Sequence, residues 1–156
     1  MFMRALGALF FIAAIHGQAE AIMPSFQGST SDTTRLFPKV EGRNLEGQRF
    51  SLPADFEGEL NIVLVAFRRE QQDDVDTWLP SLTAMAAKRA AVRVYELPTL
   101  NRSYSLMRRF IDGGMARGIP QQATREATIT LYINKAPFKR ALGITSEGTI
   151  RVLLVA

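Results

Sequence analysis

Asn61–Phe67 (NIVLVAF) is a continuous β-branched and apolar run. A run without polar alternation predicts a central strand buried on both faces. After it, Val75, Trp78, Leu79, Leu82, Met85 and Ala86 recur at spacings of three and four. That period predicts a helix over about Gln71–Lys88 with one apolar stripe, Trp78 counted into the core. Asp73, Asp74 and Asp76 fall in its first turn, where the helix dipole favours negative charge, and Pro80 inside it predicts a kink. Val92–Leu97 (VRVYEL) reads as a second core strand. Ser105–Met115 reads as a helix with Leu106, Phe110 and Ile111 on one side and an end weakened by Gly113-Gly114. Thr128–Ile133 (TITLYI) is β-rich and alternating, Ala136–Leu142 (APFKRAL) is a short helix closed by Gly143 as its C-cap, and Ile150–Val155 (IRVLLV) is the last strand. Ahead of all these, Phe37–Asp55 has Gly42 and Gly47 as turn points and a short strand around Arg49–Leu52. Strands alternating with helices predict an α/β fold with a substantially parallel sheet.

The first residues carry a different pattern. Arg4 precedes an apolar run, Ala5–Ile15, and Ala19-Glu20-Ala21 forms an A-x-A site. This is the three-part pattern of a secretory signal peptide over residues 1–21, cleaved after Ala21. The run is too short to cross a bilayer, which needs about 20 apolar residues. The expectation is an exported, periplasmic protein with a flexible Ser/Thr/Gly/Pro-rich lead-in over residues 22–35 and one domain over residues 36–156.

Composition narrows the chemistry. The chain has 156 residues and no cysteine, and its one histidine, His16, lies in the leader. Disulfides, thiolate metal sites and cysteine nucleophiles are excluded, and a mature chain without His cannot run a Ser-His-Asp mechanism. No metal and no cofactor is expected. Tyr95 and Glu96, ending the second core strand, are the acid–base pair that a cysteine-independent hydrolase or lyase would use. The net charge is +4 and is polarised along the chain. Acids gather between Glu41 and Asp76, whereas Arg102, Arg108, Arg109, Arg117, Lys139 and Arg140 follow Leu100. These six are candidates for a surface facing acidic lipid headgroups or an acidic partner. Nucleic acid is not expected, since no zinc-finger, helix-turn-helix or RNA-recognition signature occurs.

The order of hairpin, buried strand, proline-containing helix, strand, helix and strand resembles the thioredoxin superfamily, in the branch of the TlpA-like thiol reductases and peroxiredoxins. Phe37-Pro38-Lys39-Val40-Glu41-Gly42 with Gly47–Leu52, the turn Phe56-Glu57-Gly58-Glu59, and Asn61–Phe67 carry the resemblance. The family's two-cysteine motif would fall on Gln72-Asp73-Asp74-Val75, with Pro80 at the family's spacing. The spacing survives and the thiols do not, so this is a degenerate redox locus. No proline precedes Thr149–Val155, where the family has one. A narrower set also looks like bacterial relatives of the mitochondrial ATP synthase assembly-factor family: Phe67-Arg68, Arg109-Phe110-Ile111 and Phe138 to Ile144. The resemblance implies a thioredoxin-like sandwich with a central mixed sheet, lacking the C-terminal strand and helix. Ile150–Val155 would lie beside Asn61–Phe67, with Arg151, Leu153 and Val155 on an edge open to a protein partner or to a second copy. It also implies binding or assembly work on an envelope protein rather than redox chemistry. The alternatives are the hydrolase or lyase above, or a truncated remnant.

Overall fold

The computed structural model describes residues 35–156, so the leader pattern and all of the lead-in before Arg35 lie outside the described residues. Six strands form one mixed sheet in the order β2-β1-β5-β4-β3-β6. The strands are β1 Val40–Asn44, β2 Arg49–Leu52, β3 Leu60–Ala66, β4 Val92–Asn101, β5 Ile129–Ile133 and β6 Arg151–Val155. The helices are α1 Gln72–Ala86, α2 Arg108–Gly118, α3 Gln122–Ala127 and α4 Lys135–Leu142. The parallel part is the central trio: β3 pairs with β4, and β4 with β5. β1–β2, β1–β5 and β3–β6 are antiparallel.

The run expected to be buried on both faces is β3. Its Ile62, Leu64 and Ala66 pack under α1 against Val75, Leu79 and Leu82. Its Val63 and Val65 turn the other way, into a core with Leu97, Ile129, Leu131 and Phe138 of α4. Phe37 closes that second core edge-on, 5.5 Å from Phe56 and 5.9 Å from Phe138 between ring centroids. The result is an α/β sandwich with a mixed sheet between helices. Gly143 ends α4 in the left-handed region at φ 66°, as the C-cap reading requires.

Several local expectations change. Gly42 is not a turn residue: it sits inside β1, and only Gly47, at φ 91°, turns the hairpin. A Cβ on Gly42 would stand 2.6 Å from Ile129 Cγ2 and 2.8 Å from Leu131 Cδ2, so the glycine is what lets β1 lie against β5. Gly42→Ala is expected to cost roughly 1–2 kcal/mol by overpacking, read as a lower urea midpoint with unchanged slope. Trp78 is not core; it is 48% exposed, because it lies about 60° round the helix from the line of Val75. α1 keeps Pro80 inside it, as expected, with the proline exposed. β4 extends past Leu97 to Asn101, and α2 runs through Gly113-Gly114 to Gly118. α3, six residues without an apolar stripe, gave no periodic signal.

Candidate functional site

The degenerate redox locus opens α1 directly after β3. Gln72, Asp73 and Asp74 are exposed, whereas Val75 is fully buried in the α1 core. Three of the four positions therefore reach solvent, and the fourth is structural. The residue that organises this corner is Gln71, whose partners no spacing along the chain marks. It is buried, its Oε1 accepts the N–H groups of Phe67 at 2.8 Å and Arg68 at 3.3 Å, and its Nε2 donates to the Glu147 carbonyl at 2.8 Å. The Glu147 carboxylate in turn takes Lys135 at 2.7 Å and Lys139 at 2.8 Å. Hydrogen bonds from these two lysines hold the Glu147 carboxyl below its usual range. One amide thus ties the β3–α1 turn to α4 and to the loop entering β6.

Tyr95 and Glu96 do not form a working pair. They are successive residues inside β4, so their side chains leave opposite faces of the sheet. Tyr95 belongs to the α4-side core, packed on Phe56, with its hydroxyl accepting the Glu57 N–H at 3.2 Å. Burial pushes its hydroxyl pKa up. Glu96 points to the α1 side and is 4% exposed, and one of its carboxylate oxygens has no hydrogen-bond partner among the described residues. Burial drives the Glu96 carboxyl upward; Gln72 pulls it back, Asp76 adds to the rise, and Thr128 offsets a little more. Glu96 lies at the margin of a groove of about 350 Å³ between α1 and α3, lined by Leu79, Thr83, Val94 and Thr124 among others.

The basic residues divide. α2 rests on Tyr132, whose hydroxyl donates to Asp112 at 2.8 Å while the Arg108 guanidinium stacks 4.7 Å over its ring. Burial and the Asp112 carboxylate push the Tyr132 hydroxyl pKa far up. α4 inserts Phe138 under Leu131, the neighbour of Tyr132 in β5, and so covers the other face. Arg102, Arg109 and Arg117 are exposed on the Tyr132 side, and Arg108 is half-buried there. Arg140, exposed, and Lys139, held by Glu147, sit on α4. The six do not form one surface.

At β6 the pairing runs Val63 to Leu153 and Asn61 to Val155, beside β3. Leu153 and Val155 contribute to the α4-side core, and Arg151 is half-buried on the same face. The exposed side chains are Val152, at 37%, and Leu154, at 70%. β6 ends the strand order, and among the described residues nothing pairs with its outer edge. Among the described residues no three His, Cys, Asp or Glu side chains gather into a metal-binding group.

Compared with family models, curated proteins and solved structures, the chain matches none.

Proposed function

We propose that this chain is an exported, non-redox, thioredoxin-like binding domain. It serves as an accessory or assembly partner of an envelope protein and takes an extended segment of that protein as an added strand beside β6. The observation that carries this reading is the outer edge of β6. Every second residue of an edge strand turns its N–H and C=O outward, and a partner strand gains main-chain hydrogen bonds there. Val152 and Leu154 offer apolar contact to alternate side chains of such a segment. The position of β6 beside β3, antiparallel, fits the thioredoxin-like reading, and the absence of cysteine from the sequence removes thiol redox activity.

The test is hydrogen exchange at the β6 amides, with and without a synthetic peptide of alternating valine and threonine. Docking slows exchange at the outward amides by about tenfold or more. Leu154→Lys, which charges an exposed edge position without touching the core, removes that protection. Unchanged β6 exchange in a folded protein overturns the reading. Protection that grows with protein concentration alone replaces the partner with a second copy.

Glu96 favours a second reading. A carboxyl whose pKa burial raises, set beside a groove, is placed as a general acid would be, and a hydrolase or lyase would use it alone, without Tyr95. Activity on any ester or glycoside that disappears in a stably folded Glu96→Gln variant would support it.

A further inference from the structure

The segment from Arg102 to Gly118 forms a 3₁₀ helix, Arg102–Met107, that runs directly into α2. Its outward side is unusual for a surface that touches only water. Leu106 is 96% exposed, Phe110 73%, Met107 53% and Tyr104 51%. Leu106, Phe110 and Arg117, with Arg109 beside Phe110, follow helical spacing along one face. The inward side is held by polar anchors instead, with Arg108 and Asp112 both engaged on Tyr132. The segment contains one acid, Asp112, and that carboxylate already accepts the Tyr132 hydroxyl. What is left facing solvent is large apolar side chains interleaved with the guanidinium groups of Arg102, Arg109 and Arg117.

We infer that this stripe docks the protein on an anionic lipid bilayer, with Leu106 and Phe110 entering the acyl boundary and the arginines meeting phosphate headgroups. Interfacial helices combine these two features, an apolar face buried some 5–10 Å and basic residues at headgroup level. Arginine stems reach along the apolar zone while their heads stay at the phosphates, and Tyr104 is the ring type found at that interface. Charge argues against a second copy as the occupant. A two-fold contact of this stripe with itself would set arginine against arginine. Shape argues for a bilayer over a protein partner, because Leu106 stands out of the surface rather than lining a groove, and a bilayer needs no complementary socket. The surface lies over β5, with β4 and β3 between it and β6, so this inference does not depend on strand docking.

The experiment places a reporter in the stripe of the full chain. Trp78→Phe removes the native signal, and Leu106→Trp or Phe110→Trp supplies a new one at an exposed position. Circular dichroism checks that the fold is kept. With vesicles of phosphatidylglycerol and phosphatidylcholine, the new tryptophan should shift to the blue and be quenched by brominated acyl chains. Phosphatidylcholine alone should give neither effect. Arg102→Ala with Arg109→Ala should weaken binding about thirtyfold, at about 1 kcal/mol for each arginine, and added salt should do the same. A tryptophan that stays in water on anionic vesicles overturns the inference, even if the chain is bound through Ala5–Ile15. So does a tryptophan already shielded before lipid is added, which would mean that the chain itself or another copy covers the stripe. Equal insertion into neutral vesicles overturns it as well.

Discussion

Gln71→Ala is expected to lower the unfolding free energy by about 2–4 kcal/mol, read by urea denaturation followed by circular dichroism. The deletion removes no apolar contact of consequence. It leaves the buried Phe67 N–H and the Arg68 N–H without their shared acceptor and the Glu147 carbonyl without its donor. Buried groups stranded in this way cost more than the bonds themselves contributed. Gln71→Glu separates the two halves of the network: it keeps an acceptor for the two N–H groups and sets a carboxylate against the Glu147 carbonyl. It is expected to be at least as damaging above the glutamate pKa and less so in acid. The loop entering β6 should also exchange its amides faster in both variants, because Gln71 is its link to the β3–α1 turn. A Gln71→Ala loss below about 0.5 kcal/mol would mean that water replaces the amide fully.

Glu96→Gln is expected to stabilise the fold at about pH 8 by on the order of 1–3 kcal/mol and to change little at about pH 4. The sign follows from burial. The folded state raises the Glu96 carboxyl above its ordinary 4.5, so it holds the proton more tightly than the unfolded chain does. Below the unfolded value both states are protonated and the residue carries no ionic penalty. As pH rises through the window up to the folded value, the unfolded chain ionises first and stability falls. Glu147 works in the opposite direction: its lowered pKa adds stability above the unfolded value that is lost as pH falls through the folded one. Comparing wild type with Glu96→Gln at each pH cancels the Glu147 contribution and leaves Glu96 alone. A difference that is flat with pH would show that folding leaves the Glu96 pKa where it is in the unfolded chain.

The elements whose signal is local were legible in the chain. A run of apolar residues gave β3, alternation gave β5, and a spacing of three and four gave α1 nearly to its ends. Gly143 marked the end of α4 because a left-handed C-cap is a property of one residue's backbone. β2 and β6 also stand within a residue of their expected places. Of the candidate site, the positions of Gln72 to Val75 at the start of α1 and of β6 beside β3 were legible too.

Tertiary structure alone decided what each stripe faces. Periodicity reports that a helix has an apolar side; which side is covered depends on the surface beneath it. Beneath α2 that surface is Tyr132, which engages Arg108 and Asp112, so Leu106 and Phe110 are left outward. The same dependence put Trp78 at the rim of its stripe. It also split the basic residues between α2 and α4, which cover the two faces of β5, and gave Gln71 partners as far away as Glu147. Backbone propensity acts between near neighbours in sequence. These partners are brought together only by packing across the sheet, and no spacing along the chain encodes them.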